Sequence, residues 1–280
     1  MSFKLTALAT AALLAAGLAT AQTAAPAAPK APEPDYTISY NLGVTSDYRY
    51  RGISQSRLKP ALQGGIDYAH KNGFYLGTWA STIKWIKDAG TIAGVDTGSS
   101  PVEVDLYGGY KFDAAKDISI DIGALQYYYS GNKYVNLNTA GSPSSNPNTL
   151  EFYGALTSGI FTGKYSRSMT NLFGTGLTSG PTTSKGSGYL DLSLNFDLGN
   201  GYTFAPHVGI QGVKNNPNAS YSDYSLTGSK DLGNNLSFSA AIVGTSTKTV
   251  AGNPANYAYA APTGQNLGKG AVVVSIKKTF

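Results

Sequence analysis

Apolar and polar residues alternate one by one along most of this chain from Tyr36 onward. Tyr36, Ile38, Tyr40, Leu42 and Val44 are interleaved with Thr37, Ser39, Asn41, Gly43 and Thr45. Val102, Val104, Leu106, Tyr110 and Phe112 stand against Glu103, Asp105 and Lys111, and Leu190, Leu192, Leu194, Phe196 and Leu198 against Asp191, Ser193, Asn195 and Asp197. Successive side chains of a strand point to opposite faces, so a period of two describes a sheet with one apolar and one polar side. About twelve such segments can be traced. Their connections alternate in length. Lys71-Asn72-Gly73, Asp113 to Asp117, Ser158-Gly159, Leu198 to Gly201 and Asn234-Asn235 are short, whereas Gly131 to Thr149, Gly174 to Ser187 and Lys248 to Gly268 are long and polar. Short turns at one end and long loops at the other belong to a membrane barrel. The expected fold is all-β: one transmembrane antiparallel up-and-down β-barrel of about 12 strands, formed by residues 36–280. An even strand count puts both ends of the barrel on the short-turn side. Closure is obligatory, because an open edge leaves unpaired N–H and C=O groups in hydrocarbon.

The phase of the first strand continues unbroken to Gly52. On that reading Tyr48 and Tyr50 face lipid, while Asp47, Arg49 and Arg51 face the lumen. As a strand, Tyr36 to Tyr48 spans about 40 Å. Tilted, it covers about 28 Å of the membrane normal, close to the ~25 Å apolar band between two aromatic girdles. Tyr36 and Tyr48 are therefore expected at opposite interfaces.

The N-terminal stretch is expected to lie outside the fold. Lys4 supplies a positive n-region, Leu5 to Leu18 an apolar run, and Ala19-Thr20-Ala21 a small-residue cleavage pattern, so residues 1–21 read as a signal peptide. Residues 22–35, with Pro26, Pro29, Pro32 and Pro34 among alanines, read as an extended periplasmic linker. No later stretch approaches the roughly 20 apolar residues of a spanning helix. The chain has no Cys, which excludes a disulfide-stapled scaffold. Charged residues make up only 13%, with 20 Tyr and 34 Gly, a balance suited to a barrel with aromatic interfaces. A net charge of +5, without any Lys/Arg run, gives no footprint for nucleic acid.

Ser46-Asp47-Tyr48, Arg51-Gly52, Gly65-Ile66-Asp67-Tyr68 and Gly73-Phe74-Tyr75-Leu76-Gly77-Thr78-Trp79 together resemble the TorF-like porins of Proteobacteria. Val102 to Tyr107, Gly109-Tyr110 and His207-Val208-Gly209 resemble later blocks of the same family. The likeness covers most of the chain beyond the linker and is densest from Ser46 to Tyr110. It implies an outer-membrane location and a pore, and brings neither catalytic residues nor a known solute. Phe280 is similar to the last residue of many outer-membrane barrels, where it forms part of the signal read by the barrel assembly machinery.

The inward phases carry the candidate chemistry. Asp67, Glu103, Asp105, Asp121, Glu151, Asp191 and His207 fall on lumen positions. Asp47, Arg49 and Arg51 face the lumen near the outer mouth, with Arg57 and Lys59 close by. Fixed charges in a narrow low-dielectric passage set ion preference. The expected function is therefore a porin-like channel for passive diffusion of small polar or ionic solutes, with an acidic wall opposed by an Arg cluster and with membrane lipids around it. The same groups can instead pair across the lumen and plug it, as small barrels fill with side chains. That leaves a non-conducting structural or adhesive barrel with partner-binding loops as an alternative. A lipid hydrolase is a further alternative, but His70 lies at a turn and His207 faces inward, away from a lipid substrate, so no enzyme is expected. No cofactor motif or metal-ligand spacing occurs, and Asp88 and Asp96 are too scattered for a Ca²⁺ loop.

Overall fold

The computed structural model describes residues 34–94, 96–133, 146–174, 183–250, 253–254, 259–260 and 264–280. The expected signal peptide and most of the linker lie outside these residues. Twelve strands form the barrel. They are β1 (Tyr36–Thr45), β2 (Ala61–His70), β3 (Phe74–Thr82), β4 (Val102–Ala115), β5 (Ile118–Tyr128) and β6 (Thr149–Ser158). Then follow β7 (Phe161–Ser168), β8 (Gly188–Leu194, resumed as Phe196–Gly199 after Asn195), β9 (Tyr202–Gly212), β10 (Tyr221–Asp231), β11 (Leu236–Thr245) and β12 (Ala271–Thr279). Each pairs antiparallel with the next, and β1 pairs β12 from Asn41↔Thr279 to Thr45↔Ser275, which closes the sheet. Phe280 seals that seam, its N–H donating to the Tyr40 carbonyl at 2.8 Å. Among the described residues each of the twelve strands has a neighbour on both sides, as a hydrocarbon surround demands. Tyr36–Ser39, at the short-turn end, run past the end of β12 and pair with β2 alone.

The outer face is apolar. Leu42, Leu106, Ile122, Phe152 and Ile242 are each more than half exposed, whereas Glu103 and Glu151 are 2% exposed inside. A water-facing protein rarely shows an apolar patch above a few hundred Å². Here the apolar side chains form a continuous belt, so the barrel is built inside-out for a lipid surround. At the short-turn end the belt finishes in rings: Tyr36 stacks on Tyr68 with centroids 5.6 Å apart, and Phe196 on Phe204 at 6.3 Å. Lys230 and Lys278 lie over Tyr202 and Phe280 and donate to the turn carbonyls of Asn200 and Asn234. Such amphipathic placement belongs to a membrane interface. The Asn-Gly signal holds: Asn200 and Gly201 have φ of 52° and 76°, both positive as a type I′ hairpin requires.

Two boundaries differ from expectation. β4 runs past Phe112 to Ala115 through a register shift opposite β5, because Asp113 continues the ladder with Ser119 before the turn. The larger difference is at β1, which stops at Thr45 instead of running on to Gly52. Tyr48 is not at a lipid interface; it is 8% exposed, inside the barrel. Tyr50 also turns inward, onto Tyr127 and Phe173. The aromatic belt at the long-loop end is supplied by other residues, among them Tyr128 and Tyr224, which are outward and exposed.

Candidate functional site

The chain leaves β1 and folds into the lumen because Asp47 gathers donors. Its carboxylate accepts from Ser54 Oγ at 2.5 Å, Ser56 Oγ at 3.1 Å and Arg49 Nε at 2.5 Å. Arg49 then pairs with Ser54 and Tyr50 with Ile53, making a small hairpin with Arg51-Gly52 as its tip. Both tip residues have positive φ, 46° and 78°. Glycine takes that conformation freely, and arginine at a cost of about 1 kcal/mol. A residue held there against its preference is held by its contacts.

Those contacts cross the barrel. Arg51 Nη2 donates to both oxygens of Glu151 on β6, at 2.9 and 2.7 Å. Its Nη1 donates to Gln211 Oε1 on β9 at 2.6 Å, and its guanidinium lies 4.1 Å from the Tyr189 ring centroid on β8. Arg49 Nη1 donates to the carbonyls of Gly52, Leu267 and Lys269. The inner hairpin is thus tied to three walls of the barrel and to the loop before β12. The two arginines do not form a free cationic cluster facing an acidic wall. Arg49 is paired with Asp47, Arg51 with Glu151, and the nearby Arg57 with Asp88.

The hairpin divides the long-loop half of the lumen. On the β2–β5 side, Tyr48, Ile83, Ile86, Tyr127 and Tyr129 pack into an aromatic core with Trp79 and Trp85. Helix α1 (Trp85–Ala93) supplies Ile86, and the Arg57–Asp88 pair fastens it to the segment after the hairpin. Beneath this core lie Glu103 and Asp105. The hydroxyls of Tyr48 and Tyr129 both donate to Glu103 at 2.5 Å, and Asp105 is 9% exposed between Trp79 and Tyr127 in the ladder. Further out, Lys133 pairs with Asp96 at 2.8 Å and, through that hydrogen bond, holds its carboxyl below the usual range.

On the β7–β11 side the hairpin leaves a cavity of about 350 Å³. Lys164, Tyr189, Asp191, His207 and Asp223 line it together with Arg49 and Arg51. The His207 ring sits between two carboxylates, with Nε2 3.3 Å from Asp191 and Nδ1 3.7 Å from Asp223. The Tyr189 hydroxyl donates to Asp223 at 3.1 Å and lies 3.3 Å from His207 Nε2. No serine hydroxyl bonds His207 among the described residues, and no group there has the ligands of a metal centre. Toward the short turns, Tyr107 donates to Asp67, and Tyr75 donates to Asp121 at 2.6 Å while meeting the Tyr153 hydroxyl.

All ten sequence-derived positions therefore project into the barrel, in three groups. Arg51, Glu151, Asp47 and Arg49 hold the hairpin. Glu103 and Asp105 lie under the aromatic core. Asp191 and His207 line the cavity, with Asp67 and Asp121 on the wall toward the short turns. Sequence reasoning missed Lys164, Tyr189 and Asp223. The alternation that marks Asp191 marks these too, since Lys164 alternates with the outward Tyr165 and Asp223 with the outward Tyr224.

Among solved structures, this chain is similar to the KdgM porin in complex with disordered oligogalacturonate, at 10% identity over 87% of this chain and 98% of that one, with a TM-score of 0.49. It is similar to the NanC porin at 9% identity over the same shares, with a TM-score of 0.47. It is also similar to Pseudomonas aeruginosa OprD at 13% identity over 87% and 66%, with a TM-score of 0.38. No curated protein matches the chain. A bacterial family of proteins of unknown function, Gcw_chp, matches residues 28–280, and the chain belongs to that family.

Proposed function

We propose that this protein is an outer-membrane channel for passive movement of small polar or ionic solutes. Its path follows the β7–β11 wall, past the inner hairpin, and opens between the short turns. The observation that carries the reading is an apolar belt enclosing a polar interior in which one half is filled by an aromatic core and the other keeps a cavity of about 350 Å³. The TorF-like resemblance, which implies a pore, supports the same reading, and it is densest from Ser46 to Tyr110, the stretch that builds the hairpin and supplies Tyr48, Trp79, Ile83, Trp85 and Ile86 to the core. The expected signal peptide would deliver the chain to the compartment from which such barrels insert. A lipid hydrolase is disfavoured because His207, set between Asp191 and Asp223, faces the lumen, away from a lipid substrate.

One observation favours a second reading, a sealed barrel. Arg51 spans the lumen to Glu151 and Gln211 with side-chain exposures of only 6% and 2% for the ion pair. Single-channel recording of the purified protein in a planar bilayer under asymmetric salt decides between them. Discrete conductance steps, with a reversal potential set by the lumen charges, are the expected result. An inserted barrel that passes no current would overturn the channel reading in favour of the sealed one.

A further inference from the structure

The spare hydrogen-bonding capacity of the cavity is one-sided. Both carboxylates that line it have a partner: Asp223 receives Tyr189, and Asp191 lies 3.3 Å from His207 Nε2. The cations are less well matched. Lys164 Nζ rests 3.8 Å from the centroid of the Tyr153 ring, and no carboxylate among the described residues is within ion-pair distance of it. Asp191 is its direct cross-strand neighbour, yet that carboxylate leans to His207 instead. Arg49 Nη2 is buried without an acceptor on a side chain that is 6% exposed. Lys164 and Arg49 line the same cavity.

Donors left unmatched in a partly dry site hold a free-energy deficit that an incoming acceptor relieves. An ionised carboxylate is acceptor-only, and its charge-assisted bonds to ammonium and guanidinium are the strong kind. We propose that the cavity is a subsite for a small organic carboxylate, its anionic end taken by Lys164 and the Arg49 edge of the hairpin. The inference rests on the channel reading and narrows its solute class. A cavity of about 350 Å³ is at the small end of ligand sites, which run from about 300 to 1,000 Å³. The hydroxyls of Ser166, Ser225 and Thr227 on its walls can donate or accept, which suits a hydroxylated carbon chain.

The test is current block by gluconate, with sorbitol as the neutral analogue and choline as a cationic control, on wild type, Lys164→Gln and Lys185→Gln. Lys185 lies in an exposed loop outside the cavity. Gluconate should interrupt wild-type current far more often than sorbitol or choline. Lys164→Gln should cut the interruptions about tenfold at unchanged insertion, the loss expected of one charge-assisted bond, while Lys185→Gln behaves as wild type. A conducting channel on which gluconate acts like sorbitol, or on which Lys164→Gln changes nothing, overturns the subsite and leaves the channel standing. If the barrel passes no current, saturation-transfer NMR with gluconate addresses the cavity alone. Binding lost in Lys164→Gln would support the subsite, and no binding would end it.

Discussion

Arg51 shows what a single side chain can do in this lumen. It occupies a strained position, its ion pair with Glu151 is nearly dry, and a second bond reaches Gln211. Removing one member of a buried pair leaves the other charge uncompensated, at a cost of about 3–5 kcal/mol, a penalty that is not incurred twice when both members go. Arg51→Ala and Glu151→Ala should each lower barrel stability by about 3 kcal/mol, and the double variant should cost well under the sum of the two. Urea unfolding in lipid vesicles measures this; a double variant as unstable as the sum would mean that the two residues act separately. The inward phase of both residues was legible in the sequence, from alternation alone. Their partnership was not, because it joins positions 100 residues apart in the chain, and the bond to Gln211 spans 160. Alternation reports which face a side chain takes and carries no information about what stands opposite.

The same limit explains the elements. The strands were readable because most of them present apolar residues to lipid and polar residues to the lumen, so the local pattern and the global surround agree. The pattern is weakest on β3, where Tyr75 and Trp79 face inward, and on β7, where Arg167 shares the outward phase of Tyr165. The inner hairpin was misread as the end of β1, since Tyr48 and Tyr50 keep the apolar phase. What turns the chain inward is Asp47 collecting two serines, and carbonyls at Leu267 and Lys269 that lie far along the chain. Gly52 is the residue on which that turn depends. Its φ is 78°, and a Cβ there would come within 2.5 Å of Thr245 Cγ2 and 2.8 Å of Asp223 Cβ. Gly52→Ala should therefore lift the hairpin off the β10–β11 wall and leave the barrel folded. Single-channel conductance should rise, or become noisy, relative to wild type. An unchanged conductance in a correctly inserted Gly52→Ala barrel would show that the hairpin is not the constriction.

At the scale of the whole molecule, the division between a lipid face and a lumen face governs everything inside. Closing the sheet through β1 and β12 satisfies the backbone, and only then can charged side chains occupy the interior and leave the outside to hydrocarbon. This arrangement makes the cost of a charge depend first on its phase and then, on the lipid face, on its depth in the bilayer. Leu106 stands in the belt on β4, 52% exposed, between the buried Asp105 and the inward Tyr107. Ser239 stands on the lumen side of β11, between the outward Phe238 and Ala240, and opposite Ser275. Arginine near the bilayer midplane on a lipid face costs about 2–4 kcal/mol, while lumen substitutions chiefly tune selectivity. Leu106→Arg should therefore destabilise the barrel in vesicles by about 3 kcal/mol, and Ser239→Arg by well under 1 kcal/mol, with the reversal potential shifting toward anions only in the second. Equal losses for the two would mean that both faces see the same surroundings, and the membrane-spanning reading would fail with them.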